Sequence, residues 1–570
     1  MNILQQGCKS LVYTLCFLCF TFAETKAQNN NDLIITEIMA DPTPTKGLPE
    51  KEYLELYNRS AKSINLNKFV LFYNSTSAVF PDVSIEAGAY AIVTHRNNAR
   101  EFEPYGKVIG LNNFSLSNTG TTLTLKNVAN KTLFSVSYTD KWYTSTKNQG
   151  FALEMIDTEY ACVEEGNWAS SEALLQGTPG SENSVKDSHP DLTPPTLIRY
   201  EWLAENSIKL VFSEKLDSLS AISPYAYTSN NNLAIKTIGL ESPQNKNIVL
   251  TFSSTMQAGA LYQLTAHNIA DCSGNVLKES GLIIGTPTYA DSGEVVLSEI
   301  LFNPRSSGED FVEIYNQSSK LVTITNWALA NADAAGLIAN KRNITTKNIV
   351  LQPKQFLVLT SDVSAVSREY FKSVKENFLE MSSLPSFPDK SGTVILLNAN
   401  EKVFDRFDYN ENLHHLLIDD KEGISLEKAD FTKDSNDPSN WHSAAASEGY
   451  ATPGYANSQQ IPAVESTIFS IEPEIITPDN DGQDDVCTLR FQLDNYNYIA
   501  NAYVFNANGQ LIKTLAQNQL LGVNDQLIWD GKGATYEPVA VGYYVILVEI
   551  FNTTGKKQSF KAKVVVGSKF

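Results

Sequence analysis

Ile34-Ile35-Thr36-Glu37-Ile38-Met39-Ala40-Asp41-Pro42 is followed, after a short loop, by Tyr53-Leu54-Glu55-Leu56-Tyr57-Asn58. The chain then writes this stretch again. The second version is Val296-Leu297-Ser298-Glu299-Ile300-Leu301-Phe302-Asn303-Pro304, then Phe311-Val312-Glu313-Ile314-Tyr315-Asn316. Working outward, Gly120-Thr121-Thr122-Leu123-Thr124-Leu125 is echoed by Gly392-Thr393-Val394-Ile395-Leu396-Leu397. Gly150-Phe151-Ala152-Leu153-Glu154 is answered by Gly423-Ile424-Ser425-Leu426-Glu427, and Asn167-Trp168 by Asn440-Trp441. Thr178-Pro179-Gly180 is answered by Thr452-Pro453-Gly454. Matches that keep their order at nearly constant spacing mean a duplicated domain.

Within each copy the apolar residues alternate. Leu54 and Leu56 face one way and Tyr53, Glu55 and Tyr57 the other, a period of two rich in β-branched and aromatic residues and broken by Gly, Asn and Pro. That is the pattern of a β-sandwich. Both copies resemble the lamin-tail domain, an Ig-like sandwich found in secreted bacterial proteins and in nuclear lamins. The Ile-Thr-Glu-Ile or Leu-Ser-Glu-Ile opening, the Leu-Glu-Leu-Tyr-Asn or Val-Glu-Ile-Tyr-Asn second strand and the Thr-Pro-Gly close carry the resemblance. It implies a fold and no shared catalytic function.

A chain of 570 residues is too long for one core and predicts three to five domains. Its formal charge of −20 opposes nucleic acid or an anionic membrane as the main partner and suits cations or a crowded extracellular surface. Lys9, an apolar run over residues 11–23 and Thr25-Lys26-Ala27 describe a secretory signal peptide, residues 1–27. The run is shorter than the roughly 20 residues a membrane span requires. No other stretch would cross a bilayer as a helix, so the mature chain is expected to have no transmembrane span. Its cysteines, Cys162, Cys272 and Cys487, fall in three different modules, which is not the internally paired framework of a small stapled domain.

The expected modules are residues 29–185 and 294–457 for the two copies, 196–287 between them and 466–570 at the end. Residues 184–195 read as a polar, proline-containing linker. Ile208-Lys209-Leu210-Val211-Phe212-Ser213-Glu214 and Asp271-Cys272-Ser273-Gly274-Asn275 resemble the bacterial Ig-like module of surface-layer proteins. The second copy carries one expected insertion, residues 364–380. There Val366, Tyr370, Val374 and Phe378 recur every four residues, as in an amphipathic helix packed on the sandwich. The last module contains Thr477-Pro478-Asp479-Asn480-Asp481-Gly482, Val504-Phe505-Asn506-Ala507-Asn508-Gly509 and Ile528-Trp529-Asp530-Gly531. It resembles the Ig-like module of flagellar hook-capping proteins and the C-terminal modules of type IX secretion cargo.

Two groups of residues invite chemistry. Asp479, Asp481 and Asp485 form an acidic loop with Gly482 where a calcium loop would turn. The first position is Thr477 and the twelfth Thr488, so a full EF-hand is excluded. What remains is a weak calcium site or a solvated turn. Glu37 with Glu55, and Glu299 with Glu313, would meet across antiparallel strands as paired carboxylates do in glycosidases. Each sits among large hydrophobes with no polar cluster nearby in sequence, which favours a structural role. His95, His189, His267, His414, His415 and His442 lack metal-binding spacing, and adjacent His414 and His415 would point to opposite faces of a strand. No nucleophile elbow, phosphate loop or dinucleotide fingerprint occurs.

The expectation is therefore an all-β protein of tandem Ig-like sandwiches strung like beads, exported, and acting outside the cell or on its surface. It would not be an enzyme. Its work would be adhesion, scaffolding or contact with a surface protein or glycan, with the last module read by type IX-like export machinery. No cofactor is required, calcium being the one candidate. The alternatives are an accessory subunit of an extracellular nuclease or phosphatase, and a carbohydrate-binding protein.

Overall fold

The computed structural model describes residues 31–73, 75–144, 146–460 and 466–568. The expected leader, residues 1–27, lies outside the described residues. The chain divides into two compact units, one ending at His189 and the other starting at Pro190.

In the first unit, Leu33–Met39 pairs antiparallel with Tyr53–Asn58 on one side and Leu153–Met155 on the other. The six-stranded sheet runs Trp168–Ser170, Leu153–Met155, Leu33–Met39, Tyr53–Asn58, Tyr90–His95, Val108–Leu111, the last pair parallel. A second sheet of Thr132–Thr139, Gly120–Lys126, Val70–Tyr73 and Thr76–Val79 closes the sandwich. Leu54 and Leu56 enter the core between the sheets with Leu33, Ile35, Leu71, Leu123, Leu125 and Trp168. Tyr53 lies on the opposite face, packed with Met39, Leu48, Ile92 and Phe102. Every residue of Leu33–Met39 is buried, because this sheet is covered on both sides.

The second copy repeats the plan strand for strand. Its large sheet runs Trp441–Ser443, Leu426–Lys428, Val295–Leu301, Phe311–Asn316, Phe356–Thr360, Phe378–Glu380, again with a parallel last pair. Even the bulge is kept: register slips between Ile35 and Glu37 and between Leu297 and Glu299. Such a bulge turns Glu37 and Glu299 out of the simple alternation.

The stretch over residues 364–380 differs from expectation. The helix covers only Val363–Glu369, capped by the Asp362 side chain accepting from the Ala365 N–H at 2.9 Å. Phe378 then lies in the parallel edge strand. Val366, Tyr370 and Phe378 do pack on the sandwich, with Leu301, Phe311 and Val358. Nor is the segment an insertion, since Ala99–Phe102 and the parallel strand Val108–Leu111 hold the same place in the first copy. Four-residue spacing matched a helix, but two short elements supplied by one turn each satisfy it equally.

Between the copies, Leu197–Ala204, Ser207–Phe212, Asn247–Phe252 and Ile235–Leu240 form one sheet and Tyr227–Ser229, Tyr262–Ala270 and Val276–Ile284 another. Their core takes in Leu321 and Val350 of the second copy. The terminal module pairs a three-stranded sheet (Ile468–Glu472, Cys487–Gln492, Asn524–Trp529) with a five-stranded one around Tyr498–Asn506 and Gly542–Asn552. Tandem all-β sandwiches are what the chain builds, and from Pro190 onward neighbouring sandwiches touch.

Cys162 and Cys272 are each disulfide-bonded, whereas Cys487 is a buried free thiol whose pKa burial pushes up to about 11. Among the described residues no helix is long and apolar enough to cross a membrane.

Candidate functional site

The bulge brings Glu37 opposite Glu55, and the neighbouring strand places Glu154 opposite Glu37. The same register sets Glu299 against Glu313 and Glu427. The expected pairs are thus triads, and all six carboxylates are fully buried. Sequence proximity gave no polar cluster around them because their partners come from far along the chain.

Those partners are the closing segments. Thr178 N–H donates to Glu37 Oε1 at 2.7 Å, and Thr178 Oγ1 lies 3.5 Å from Glu37 Oε2 and 3.1 Å from Glu154 Oε1. Gly180 N–H donates to Glu55 Oε2 at 2.6 Å, and Ser184 N–H and hydroxyl donate to Glu154 Oε2 at 2.6 and 2.7 Å. Ser184 therefore belongs to the sandwich and not to a linker. In the second copy Thr452 N–H donates to Glu299 Oε1 at 2.9 Å and Gly454 N–H to Glu313 Oε2 at 2.7 Å. Ser458 Oγ and Gln459 N–H both donate to Glu427 Oε2 at 2.8 Å. Asn183 and Asn457 finish the seam, their side-chain amides donating to the Thr36 and Met155 carbonyls and to the Ser298 and Lys428 carbonyls. The repeated glycine is required: Gly180 and Gly454 have φ of +83° and +91°, and a Cβ would fall 2.0 Å from Tyr105 O and 2.8 Å from Val374 O.

One difference between the copies is informative. Tyr53 hydroxyl donates to Glu37 Oε1 at 2.8 Å. The second copy has Phe311 there, with no hydroxyl, but it has Ser425 where the first has Ala152, and Ser425 Oγ donates to the same oxygen of Glu299. The donor has moved to the residue just before the adjacent strand Leu426–Lys428, and the bond has survived.

Burial, reinforced by the charge of Glu154, raises Glu37 to about 8. Burial and Glu427 do the same for Glu299, also to about 8. Glu55 and Glu313 are pushed well above the carboxylate range, by burial first and then by Glu37 and Glu299 respectively. Crowded carboxyls in a dry site cannot all ionise, so each triad holds protons at neutral pH.

The acidic loop is assembled as a compact turn. Asp479, Asp481 and Asp485 each offer a carboxylate oxygen, all within 4.8 Å of one another. Asp485 accepts from the Asn480 and Gly482 N–H groups at 2.6 and 2.8 Å, and Asp481 accepts from Gln483 N–H at 2.8 Å. Thr488, the twelfth position, lies in the strand Cys487–Gln492. A second acidic group, Asp191, Glu214 and Asp271, was not anticipated. Burial, then Asp191 and Asp271, raises Glu214 to about 7, and Asp271 accepts three backbone N–H bonds from residues 273–275.

His414 and His415 follow a 3₁₀ turn, Glu411–Leu413, and both are buried, so they do not straddle a strand. His414 Nδ1 and the His415 N–H both bond Ser443 Oγ at 3.0 Å.

Residues 26–140 and 288–411 match the Lamin Tail Domain. Glu37, Glu55, Glu299 and Glu313 lie within the two matched stretches, whereas Glu154, Glu427 and the Thr-Pro-Gly latches lie beyond them. No curated protein matches the chain. Among solved structures, CopC from Methylosinus trichosporium OB3b is 16% identical over 18% of this chain and 96% of its own, with a TM-score of 0.14. The N-terminal part of the bacterial S-layer protein SbsC is 14% identical over 30% of this chain and 42% of its own (TM-score 0.16). Dimeric latent PorU from Porphyromonas gingivalis is 9% identical over 71% of this chain and 36% of its own (TM-score 0.15). Likenesses this distant transfer no role to the lamin-tail copies or to the modules beside them.

Proposed function

We propose that the chain is a non-catalytic, exported, multi-module protein that works outside the cell or on its surface as a scaffold or adhesive. The observation that supports this reading is the relocated hydroxyl. Tyr53 in one copy and Ser425 in the other serve the same carboxylate oxygen from different segments of the fold. What is kept is a bond that holds the closing segment, not a particular side chain placed for a reaction. The carboxylates are fully buried, and Glu37, Glu55, Glu299 and Glu313 each accept a hydrogen bond from the closing segment of their own copy, which supports a structural role.

The test is to assay the full chain for nuclease, phosphatase and glycosidase activity before and after Glu55→Gln and Glu313→Gln. The expected result is no activity in any form and a stability loss of about 1–3 kcal/mol from each disturbed buried hydrogen bond. A hydrolase activity abolished by either change at unaltered stability overturns the reading.

Export is part of the same proposal. The leader, residues 1–27, would take the chain across the inner membrane, and the terminal module would act as the second address, read by type IX-like machinery. N-terminal sequencing of the mature protein should find a start near residue 28. Cell fractionation of a chain ending at residue 465 should find it in the periplasm; wild-type amounts at the surface or in the medium would reduce the terminal module to a spacer.

Binding of a glycan is the second reading, on one observation. Tyr536 and Tyr543 of the terminal module are 77% and 61% exposed, each with a lysine over its ring, Lys513 and Lys563. Exposed aromatic faces beside cations suit sugars carrying acidic groups. A glycan array probed with the full chain and with Tyr536→Ala and Tyr543→Ala decides it.

A further inference from the structure

The second lamin-tail copy departs from the first at two positions that meet the terminal module. His442 stands where the first copy has Ala169, and Gln459 where it has Val185. Gln459 is fully buried and faces both ways. Its N–H donates to Glu427 Oε2 at 2.8 Å, its side-chain amide donates to Leu521 O at 3.0 Å, and its Oε1 accepts from Asn497 N–H at 3.2 Å. Ser458 O accepts from Val523 N–H at 2.7 Å, and Ser447 Oγ donates to Asp525 Oδ2 at 2.8 Å. His442 closes the joint. It is 6% exposed, its ring stacks on Tyr496 at 4.0 Å and 26°, and its Nδ1 lies 2.9 Å from the Asn497 side-chain nitrogen. Its Nε2 is buried and without a partner among the described residues.

We propose that the joint between the second copy and the terminal module is a clamp that acid opens, with His442 as its trigger. The neutral ring fits this joint and a charged one does not. Of the charged groups on the packed elements, Lys433 and His415 oppose a second positive charge. Glu427, the register partner of His442, has its oxygens taken by Thr452, Ser458 and Gln459. Tyr496 and Asn497 from the terminal module bring no negative charge, and Asp525 is held by Ser447 and the Gly522 and Gln526 N–H groups.

Burial first, then Lys433 and His415, lowers His442 from 6.5 to about 4. In the open joint the ring regains water and its ordinary affinity for protons. Docking is therefore complete above pH 6.5 and weakens as pH falls toward 4, because only the open form takes the proton. The docking equilibrium should fall about tenfold per pH unit across that window.

The test is hydrogen exchange on the full chain at pH 7.5, 6.0 and 5.0, expressed as protection factors. The amides of Asn497 and Val523 report the joint, and those of Phe311–Asn316 report the sandwich core. Joint protection should fall about tenfold per unit below pH 6.5 with no parallel fall in core protection. His442→Phe keeps the stack and His442→Gln keeps a polar partner for Asn497; whichever stays docked at pH 7.5 should lose the acid response. Joint amides that hold at pH 5.0 in the native chain, or a docked variant that still opens with acid, overturn the proposal. So does an NMR titration in which His442 takes its proton near pH 6.5 while the joint amides remain protected.

Discussion

Thr452→Val removes one hydroxyl from the centre of the second triad and leaves the shape almost unchanged. Thr452 is fully buried, with Oγ1 lying 3.1 Å from Glu299 Oε2 and 2.7 Å from Glu427 Oε1. A hydroxyl has one proton, so it serves both oxygens only by accepting from one carboxyl and donating to the other. Glu299, raised to about 8, is protonated at neutral pH and supplies the first proton; the short contact to Glu427 takes the second. Valine breaks this relay at both ends. Leaving a buried donor and a buried acceptor unsatisfied costs about 1–3 kcal/mol each, or about 2–6 kcal/mol together. For a sandwich of this size each kcal/mol lowers the melting temperature by about 2–4 °C, so the second copy should melt roughly 4–24 °C earlier. Thr178→Val is the internal control. Thr178 is partly exposed and its contacts are longer, 3.5 and 3.1 Å, so water replaces part of what is lost and the cost should be about half. Scanning calorimetry of the full chain, with exchange protection over residues 451–460 to assign the transition, measures both. An unmoved transition for Thr452→Val, or a larger loss for Thr178→Val, refutes the latch.

The stability that Glu37 and Glu299 lend to their copies should decline as pH rises from 4.5 to 8, because both stay protonated when folded up to about 8 while the unfolded chain ionises near 4.5. Glu299→Gln should flatten that slope in urea unfolding of the second copy, and a slope unaffected by the change would show that the triad does not set it. Gly454→Ala should cost more than an ordinary glycine change, since a left-handed φ of +91° combines with a Cβ 2.8 Å from Val374 O; exchange protection around residues 374 and 454 should be lost first. Millimolar calcium should raise the melting temperature of the terminal module modestly, as for weak extracellular sites with dissociation constants of about 10⁻⁴–10⁻³ M. Asp481→Asn should remove the effect, and a melting temperature insensitive to calcium returns the loop of Asp479, Asp481 and Asp485 to a plain turn.

Duplication, sandwich class and strand alternation were legible in the chain itself, because a period of two and an ordered repeat are local properties that burial reads directly. Leu54 and Leu56 pointed into the core as their spacing required. The facing of Glu37 and Glu55 was legible too, since two adjacent antiparallel strands leave few registers. The triads were not. Glu154 and Thr178 are separated from Glu37 by more than a hundred residues of chain, and only folding brings them to hydrogen-bond distance. The signal was present in the repeated Leu-Glu of residues 153–154 and 426–427 and in the repeated Thr-Pro-Gly. Nothing local ties those repeats to each other. The moved hydroxyl is invisible for the same reason: Tyr53 and Ser425 share no position in the repeat and become equivalent only in space. Periodicity determined which residues are inside. What the buried carboxylates hold was decided by tertiary structure, because a buried charge is stabilised by whichever donors the rest of the chain delivers.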